Sequence, residues 1–229
     1  MNGSSMVNAL RQPRWITYAT ACLTAALGLQ ISRPALADAE ADTEYHAALK
    51  AQVDISHGQT LFQTCARCHG ANGSGAADGS IPALAGQHFR VLIRQLVDYR
   101  HDQRWDVRME HFADFPYVIF AQDVADVAGY IAQLPPPAAP VLGSGEYLDH
   151  GQHLFARQCA QCHGKAGEGS DARVYPHLAG QHYPYLVRQM HDALEGRRPN
   201  FTRAHVRLLS QFDRDDIDGV ADYLSRLPP

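Results

Sequence analysis

The chain has 229 residues, of which 45% are hydrophobic and 19% charged, and its formal net charge is −4 with histidine neutral. This length allows one large domain or two small ones. The sequence has no basic or acidic block, so it does not favour nucleic acid as a partner. The thirteen histidines are a high count, and they direct attention to metal or cofactor ligands.

The first 37 residues have the pattern of a secretory signal peptide. Arg11 and Arg14 precede an apolar, uncharged run at 15–29, and Ala35-Leu36-Ala37 supplies a small-residue cleavage site. The run is shorter than the roughly 20 residues that span a bilayer, although a retained membrane anchor stays as the alternative. We expect cleavage after Ala37 and export to the periplasm. This removes three arginines and no acidic residue, so the net charge falls from −4 to −7.

Two short cysteine motifs follow predicted helices. A first helix at 55–65 leads into Cys65-Ala66-Arg67-Cys68-His69, and one at 147–159 leads into Cys159-Ala160-Gln161-Cys162-His163. In the C-x-x-C-H pattern, two thiols bond covalently to one haem and the histidine binds its iron. Disulfides, a thioredoxin-like pair or a zinc site would not explain the histidine after both pairs. The sequence therefore predicts two haem c groups, attached through Cys65, Cys68, Cys159 and Cys162, with His69 and His163 as iron ligands.

The two motifs belong to a tandem repeat with a shift of 94 residues, as from Cys65 to Cys159. The repeat includes a Pro-x-Leu-Ala-Gly-Gln-His segment at 82–88 and again at 176–182. A middle helix and a last helix follow in each half, with apolar residues at helical spacing and Asp213 as the expected N-cap of the final helix. The predicted domains are 52–134 and 146–229, joined by a proline- and glycine-rich linker at 135–145.

With these residues, positions 52–229 resemble the tandem two-haem cytochromes of the cytochrome c4 type. The resemblance implies an all-α fold of two cytochrome c domains and a role in electron transfer. Redox proteins of the periplasm or inner membrane would be the donor and acceptor. It also implies that Pro82 and Pro176 accept hydrogen bonds from His69 and His163. The first and last helices of each domain are expected to cross at Gly58, Phe62 and Tyr130, and at Gly151, Phe155 and Tyr223.

The resemblance also implies a methionine as the second axial ligand of each haem. Met109 lies 40 residues after His69, in a stretch that reads as a loop ahead of the last helix. We therefore predict Met109 as the distal ligand of the first haem. His111 is the alternative, with Met109 then serving only in packing.

The second half departs from this pattern. Arg203 or Thr202 stands opposite Met109, and neither side chain is a good iron ligand. We predict His205, which lies 42 residues after His163, as the distal ligand of the second haem. The alternatives are Met190, which reads as a core residue of the middle helix, or an open or water-bound iron.

This difference in ligands predicts different redox potentials, because a thioether ligand raises the potential of a haem. Electrons would then enter at the second haem and leave from the first. Two other functions stay open: catalysis at an open second haem, or service as a subunit of a larger oxidase or dehydrogenase. Arg94 and Arg188 recur in the middle helices, where they could pair with haem propionates or lie on solvated faces.

Overall fold

A computed structural model describes residues 33–137 and 139–229. The predicted signal peptide, apart from residues 33–37, lies outside the described residues. The described residues form helices, turns and one isolated bridge between Ser170 and Tyr175, with no strand among them. None of the described helices is both long and apolar enough to cross a membrane.

The described part of the first half contains five helices. Asp54 caps the second of them, since its carboxylate accepts hydrogen bonds from the backbone N–H groups of Ser56 and His57. The helix that carries the first cysteine motif therefore begins at a residue with the right side chain for an N-cap. The helices are α1 (Arg33–Lys50), α2 (Ile55–His69), α3 (Phe89–Arg100), α4 (Val107–Phe112) and α5 (Ala121–Ile131).

The described part of the second half repeats this order without a counterpart of α1, and its motif helix is divided at Cys159. The predicted N-cap of the final helix is confirmed, because the Asp213 carboxylate accepts from the backbone N–H of Asp216. The helices are α6 (Leu148–Gln158), α7 (Ala160–His163), α8 (Tyr183–Leu194), α9 (Arg203–Leu209) and α10 (Arg214–Arg226).

Each half is held together by a close crossing of its motif helix and its last helix. A Cβ atom at Gly58 of α2 would overlap the backbone of Asp126 in α5, so only glycine allows this approach. Phe62 and Tyr130 pack beside it, with ring centroids 5.3 Å apart. The expected crossings are confirmed in both halves. In the second half the residues are Gly151, Gly219, Phe155 and Tyr223.

Helix α1 adds to the core of the first half. Ala41, Tyr45 and Ala48 are buried against α3 and α5, and they share one cluster with Phe62 and Ile93. The sequence prediction began the first domain at residue 52 and did not include this helix. Its buried face is mostly alanine, which gives a weak apolar pattern in the sequence.

Candidate haem sites and the interface between them

His69 is the last residue of α2 and is 5% exposed. Its Nδ1 donates a hydrogen bond to the Pro82 carbonyl at 2.9 Å, and this leaves Nε2 as the nitrogen with a free lone pair. Burial lowers the pKa of His69, so the ring stays neutral. A neutral imidazole oriented through its other nitrogen is the usual form of a histidine that binds a metal.

His163 has the same arrangement at the end of α7. Its Nδ1 donates to the Pro176 carbonyl at 3.3 Å, and burial lowers its pKa. The hydrogen bond is longer than that of His69, so the ring is held less tightly. Both prolines therefore accept the hydrogen bonds that the family resemblance implies.

The cysteines of the two motifs directly precede these histidines, and none of the four forms a disulfide. Cys65 and Cys68 are three residues apart in α2, a spacing that brings side chains onto one helix face. Each motif thus has two cysteines close to a neutral histidine, which fits covalent attachment of a haem.

Met109 lies in α4, so the expectation of a loop for this stretch is wrong. Asp106 is the N-cap of α4, and its carboxylate accepts from the backbone N–H groups of Arg108 (3.1 Å) and Met109 (3.4 Å). Burial is the largest cause of the lowered pKa of His69, and the hydrogen bond to Pro82 partly opposes it. The charge of Arg108 lowers this pKa slightly further, and the charge of Asp106 raises it. The first turn of α4, with the half-buried Met109, therefore lies near the His69 pocket.

His111, the alternative ligand, has a different environment. It is exposed, and its ring packs against Phe112 and Tyr117, with centroid separations of 4.9 and 5.4 Å. These contacts hold it among aromatic side chains at the surface. Of the two candidates, Met109 therefore has the better position for a buried ligand.

His205 lies in α9 and faces His163. The ring centroids of the two histidines are 6.2 Å apart. Burial lowers the pKa of His205 to about 4, with smaller contributions from the charges of His163 and Arg198. Because metal–imidazole bonds are about 2 Å long, two neutral imidazoles at this separation are close enough that both could bind one iron atom.

Met190, the other candidate in the second half, packs against the core of that half. It is partly buried against the hydrophobic cluster to which Phe155, Leu186 and Val220 belong. This placement agrees with the interpretation of Met190 as a core residue of the middle helix.

Two glutamines of the repeated segments join the halves. The Gln87 amide donates to the carbonyl of His177 and accepts from its N–H, both at 3.0 Å. The Gln181 amide does the same with Ala83, at 2.8 and 3.0 Å. Ala83 directly follows Pro82, and His177 directly follows Pro176. These reciprocal glutamine contacts therefore join the two segments whose prolines accept hydrogen bonds from the motif histidines.

The histidines that follow these glutamines extend the interface. Nε2 of His88 donates to the Glu168 carbonyl at 2.8 Å, and Nε2 of His182 donates to the Ser74 carbonyl at 2.8 Å. Glu168 and Ser74 occupy equivalent positions of the repeat. The interface therefore has approximate twofold symmetry.

Two arginines of equivalent repeat position, Arg104 and Arg198, meet at the interface. Arg104 is 6% exposed and donates to Tyr185 at 2.7 Å. Both arginines also donate to the side-chain oxygens of Gln95 and Gln189. Nε of Arg198 is buried without a hydrogen-bond partner in the described part of the chain. These guanidinium groups can therefore accept further negative charge, such as a haem propionate.

The sequence pointed to other arginines for this role. Arg94 binds Asp42 at 3.0 Å and covers the ring of Tyr45, while Arg188 donates to the Ser80 carbonyl at 2.7 Å. Arg104 and Arg198 were missed, although their separation of 94 residues is the repeat period. That periodicity was the available signal.

Comparison with known proteins gives the family. The model of the cytochrome c family matches residues 55–135 and again 148–228. Cytochrome c4 of Pseudomonas aeruginosa is 31% identical over 182 residues, which cover 76% of this chain and 89% of that protein. The thiosulfate dehydrogenase electron acceptor of Stutzerimonas stutzeri is 29% identical, with 78% and 90% covered.

Solved structures agree with this. Reduced recombinant cytochrome c4 from Pseudomonas stutzeri superimposes with a TM-score of 0.69 at 26% identity, and 77% of this chain and 100% of that chain are covered. Thiosulfate dehydrogenase (TsdBA) from Marichromatium purpuratum gives 0.65 at 28% identity, with 76% and 40% covered. The all-α fold of two cytochrome c domains is confirmed, and so are the two haem c groups. The chain belongs to the cytochrome c family, and within it to the two-haem, electron-transferring proteins of the cytochrome c4 type.

Proposed function

We propose that this chain is exported, loses residues 1–37, and carries single electrons between redox proteins in the periplasm. Each haem c supplies an iron that takes up and releases one electron. The attachment residues are Cys65, Cys68, Cys159 and Cys162. His69 and Met109 would bind the iron in the first domain (52–134), and His163 and His205 would bind it in the second (146–229).

One observation supports the assignment of different distal ligands to the two haems. Met109 and His205 are both the third residue of a short helix, after the N-caps Asp106 and Thr202. Each donates its backbone N–H to the side chain of its N-cap, at 3.4 and 3.2 Å. The second domain has two more residues before this cap than the first, so a uniform shift of 94 hides the equivalence. At the same place the first domain has a thioether and the second an imidazole.

Backbone carbonyls, neutral histidines and buried arginines of the chain would orient and hold the two haems. Pro82 and Pro176 accept from Nδ1 of the proximal histidines and so direct Nε2 towards the iron position. Burial keeps His69, His163 and His205 neutral, which is the form that binds a metal. The interface arginines, Arg104 and Arg198, would hold propionate carboxylates between the two domains.

The two ligand sets give a direction to electron transfer. A thioether favours the reduced iron more than a second imidazole does, so the first domain has the higher potential. An electron accepted at the second domain therefore passes to the first and leaves from there. The reciprocal glutamine contacts keep the two pockets in a fixed relation for this step.

Near-infrared magnetic circular dichroism of the oxidised protein tests the ligands, because it distinguishes His/Met from His/His coordination. We expect one signal of each type, and two waves in a redox titration. Two His/Met signals would show that Met190 replaces His205. A single high-potential wave for both haems would contradict the proposed direction. N-terminal sequencing of the exported protein should begin at Asp38.

The relatives favour a second candidate, in which the chain is the electron acceptor of a particular dehydrogenase. One relative is named as the electron acceptor of thiosulfate dehydrogenase, and part of a thiosulfate dehydrogenase structure superimposes on this chain. Reduction of the oxidised protein by a purified thiosulfate dehydrogenase with thiosulfate, at a rate that saturates with enzyme, would support this role.

Catalysis by the chain itself would instead require an open second haem. Immediate, stoichiometric uptake of carbon monoxide at one haem of the reduced protein would reveal that haem.

A further inference from the structure

Helix α1 contacts α3 through an ion pair whose two side chains are largely buried. The Glu44 carboxylate accepts from Nε of Arg100 at 3.1 Å and pairs with Nε2 of His101 at 2.7 Å. The Glu44 side chain is 14% exposed and that of Arg100 is 11% exposed. The two groups are therefore largely removed from water, where the loss of one partner is costly.

The other nitrogens of Arg100 bind the segment between α4 and α5. Nη1 donates to the carbonyls of Ala113 (2.9 Å) and Val118 (2.6 Å), and Nη2 donates to the carbonyl of Ile119 (3.2 Å). Nη1 also lies 3.3 Å from the Asp114 carboxylate. One guanidinium thus fixes both ends of the segment 113–119, and Glu44 fixes the guanidinium.

This segment is joined directly to the helix of the proposed iron ligand. The backbone N–H of Ala113 donates to the carbonyl of Met109 at 2.8 Å, which closes the end of α4. Arg100 therefore contacts the residue that terminates the Met109 helix. The second domain has leucine at the equivalent position, Leu194, and the described chain has no counterpart of α1 there.

We propose that α1 positions the distal ligand of the first haem, through Glu44 and Arg100. Both are positioning residues, since neither lies among the proposed iron ligands. A thioether is a weak ligand, so its retention depends on how firmly the protein holds the methionine. Without Arg100, three carbonyls would lose a donor and α4 would lose its support. The inference depends on Met109 being the ligand, as proposed above.

The test uses the haem-loaded protein and the variants R100M and E44A. The matched control is D42N, which removes another ion pair between α1 and α3, Asp42 with Arg94 at 3.0 Å, away from the segment 113–119. Added imidazole is titrated into the oxidised protein. The weak red charge-transfer band from methionine sulfur to ferric iron reports displacement of Met109.

We expect R100M and E44A to lose this band at about tenfold lower imidazole concentration than the unaltered protein. For D42N, this concentration should differ from that of the unaltered protein by no more than about twofold. Equal behaviour of R100M and the unaltered protein would overturn the inference, as would an equal change in D42N. Absence of the band in the unaltered protein would instead contradict Met109 as the ligand. If R100M does not fold, E44A decides the outcome, with helix content checked by circular dichroism.

Discussion

Arg104 and Arg198 come from different domains, yet both donate hydrogen bonds to the side-chain oxygens of Gln95 and Gln189. Two like charges thus share two neutral acceptors at the interface. The carboxylate of Asp98 lies near them and binds Asn200 at 2.7 Å. The charge of Arg104 acts on the pKa of His69, and that of Arg198 on the pKa of His205. Each arginine is therefore associated with a different haem pocket.

Replacement of either arginine should change the two redox potentials unequally. Loss of a positive charge stabilises the ferric state, so R104L should lower the potential mainly at the first haem and R198L mainly at the second. R104L should also destabilise the protein by about 3 kcal/mol, because buried acceptors lose their donor. Redox titration and thermal unfolding measure both effects. R214L, which changes an arginine that is 88% exposed and pairs with Asp218, should leave both potentials nearly unchanged. Equal shifts in R104L and R214L would contradict the assignment.

Replacement of His205 should affect only the second haem. H205M should raise its potential towards that of the first haem, since a thioether replaces an imidazole. H205A should leave a position that takes up carbon monoxide at once in the reduced protein. Spectroelectrochemistry and carbon monoxide titration measure these changes. M190L is the control and should retain the unaltered spectrum, while a lost ligand signal in M190L would show that Met190 is the ligand.

Removal of the reciprocal glutamine contacts should loosen the interface. Q87A and Q181A each remove two hydrogen bonds to backbone groups of the other domain, which we expect to cost about 1–3 kcal/mol. The double variant should unfold in two separate transitions, and transfer between the haems should be slower. Calorimetry and flash photolysis measure these effects. Q63A, which changes a glutamine that bonds only within α2, is the control. A single transition in the double variant would contradict this role.

The stability of the first domain should depend on pH through His57. Its Nδ1 lies 2.9 Å from the buried carboxylate of Asp126, and this hydrogen bond raises the pKa of His57. A raised pKa in the folded state gives stabilisation that is complete below about pH 6.5 and is lost as pH rises through the raised value. The effect is small, because the His57 side chain is 44% exposed. Thermal unfolding from about pH 6 to about pH 8 should show this decline, and H57Q should abolish it.

The sequence allowed the repeated parts of the fold and site to be predicted. Apolar residues at helical spacing gave α3, α5, α8 and α10, and the two C-x-x-C-H motifs gave the attachment points. Helix α1 was missed because Ala41 and Ala48 bury little surface and give no clear stripe. The short helices α4 and α9 were missed because their starts depend on single capping residues, Asp106 and Thr202.

Contacts between the domains could not be predicted in the same way. The repeat showed that Gln87 and Gln181 recur, but a recurring residue can serve within a domain or between two. Arg94 and Arg104 illustrate the difficulty: both are arginines, but only the structure shows which of them meets the other domain. The equivalence of Met109 and His205 was hidden by the two additional residues in the second half.

The reciprocal glutamine contacts have a further consequence. Each domain presents the same segment to the other and receives the same segment in return, as in the isologous contact of a C2 homodimer. The linker therefore joins two units whose mutual surface is already self-complementary. Two separate single-domain chains could pair through the same surface. Because the linker holds both copies in one chain, corresponding positions of the two domains can differ, as Met109 and His205 do.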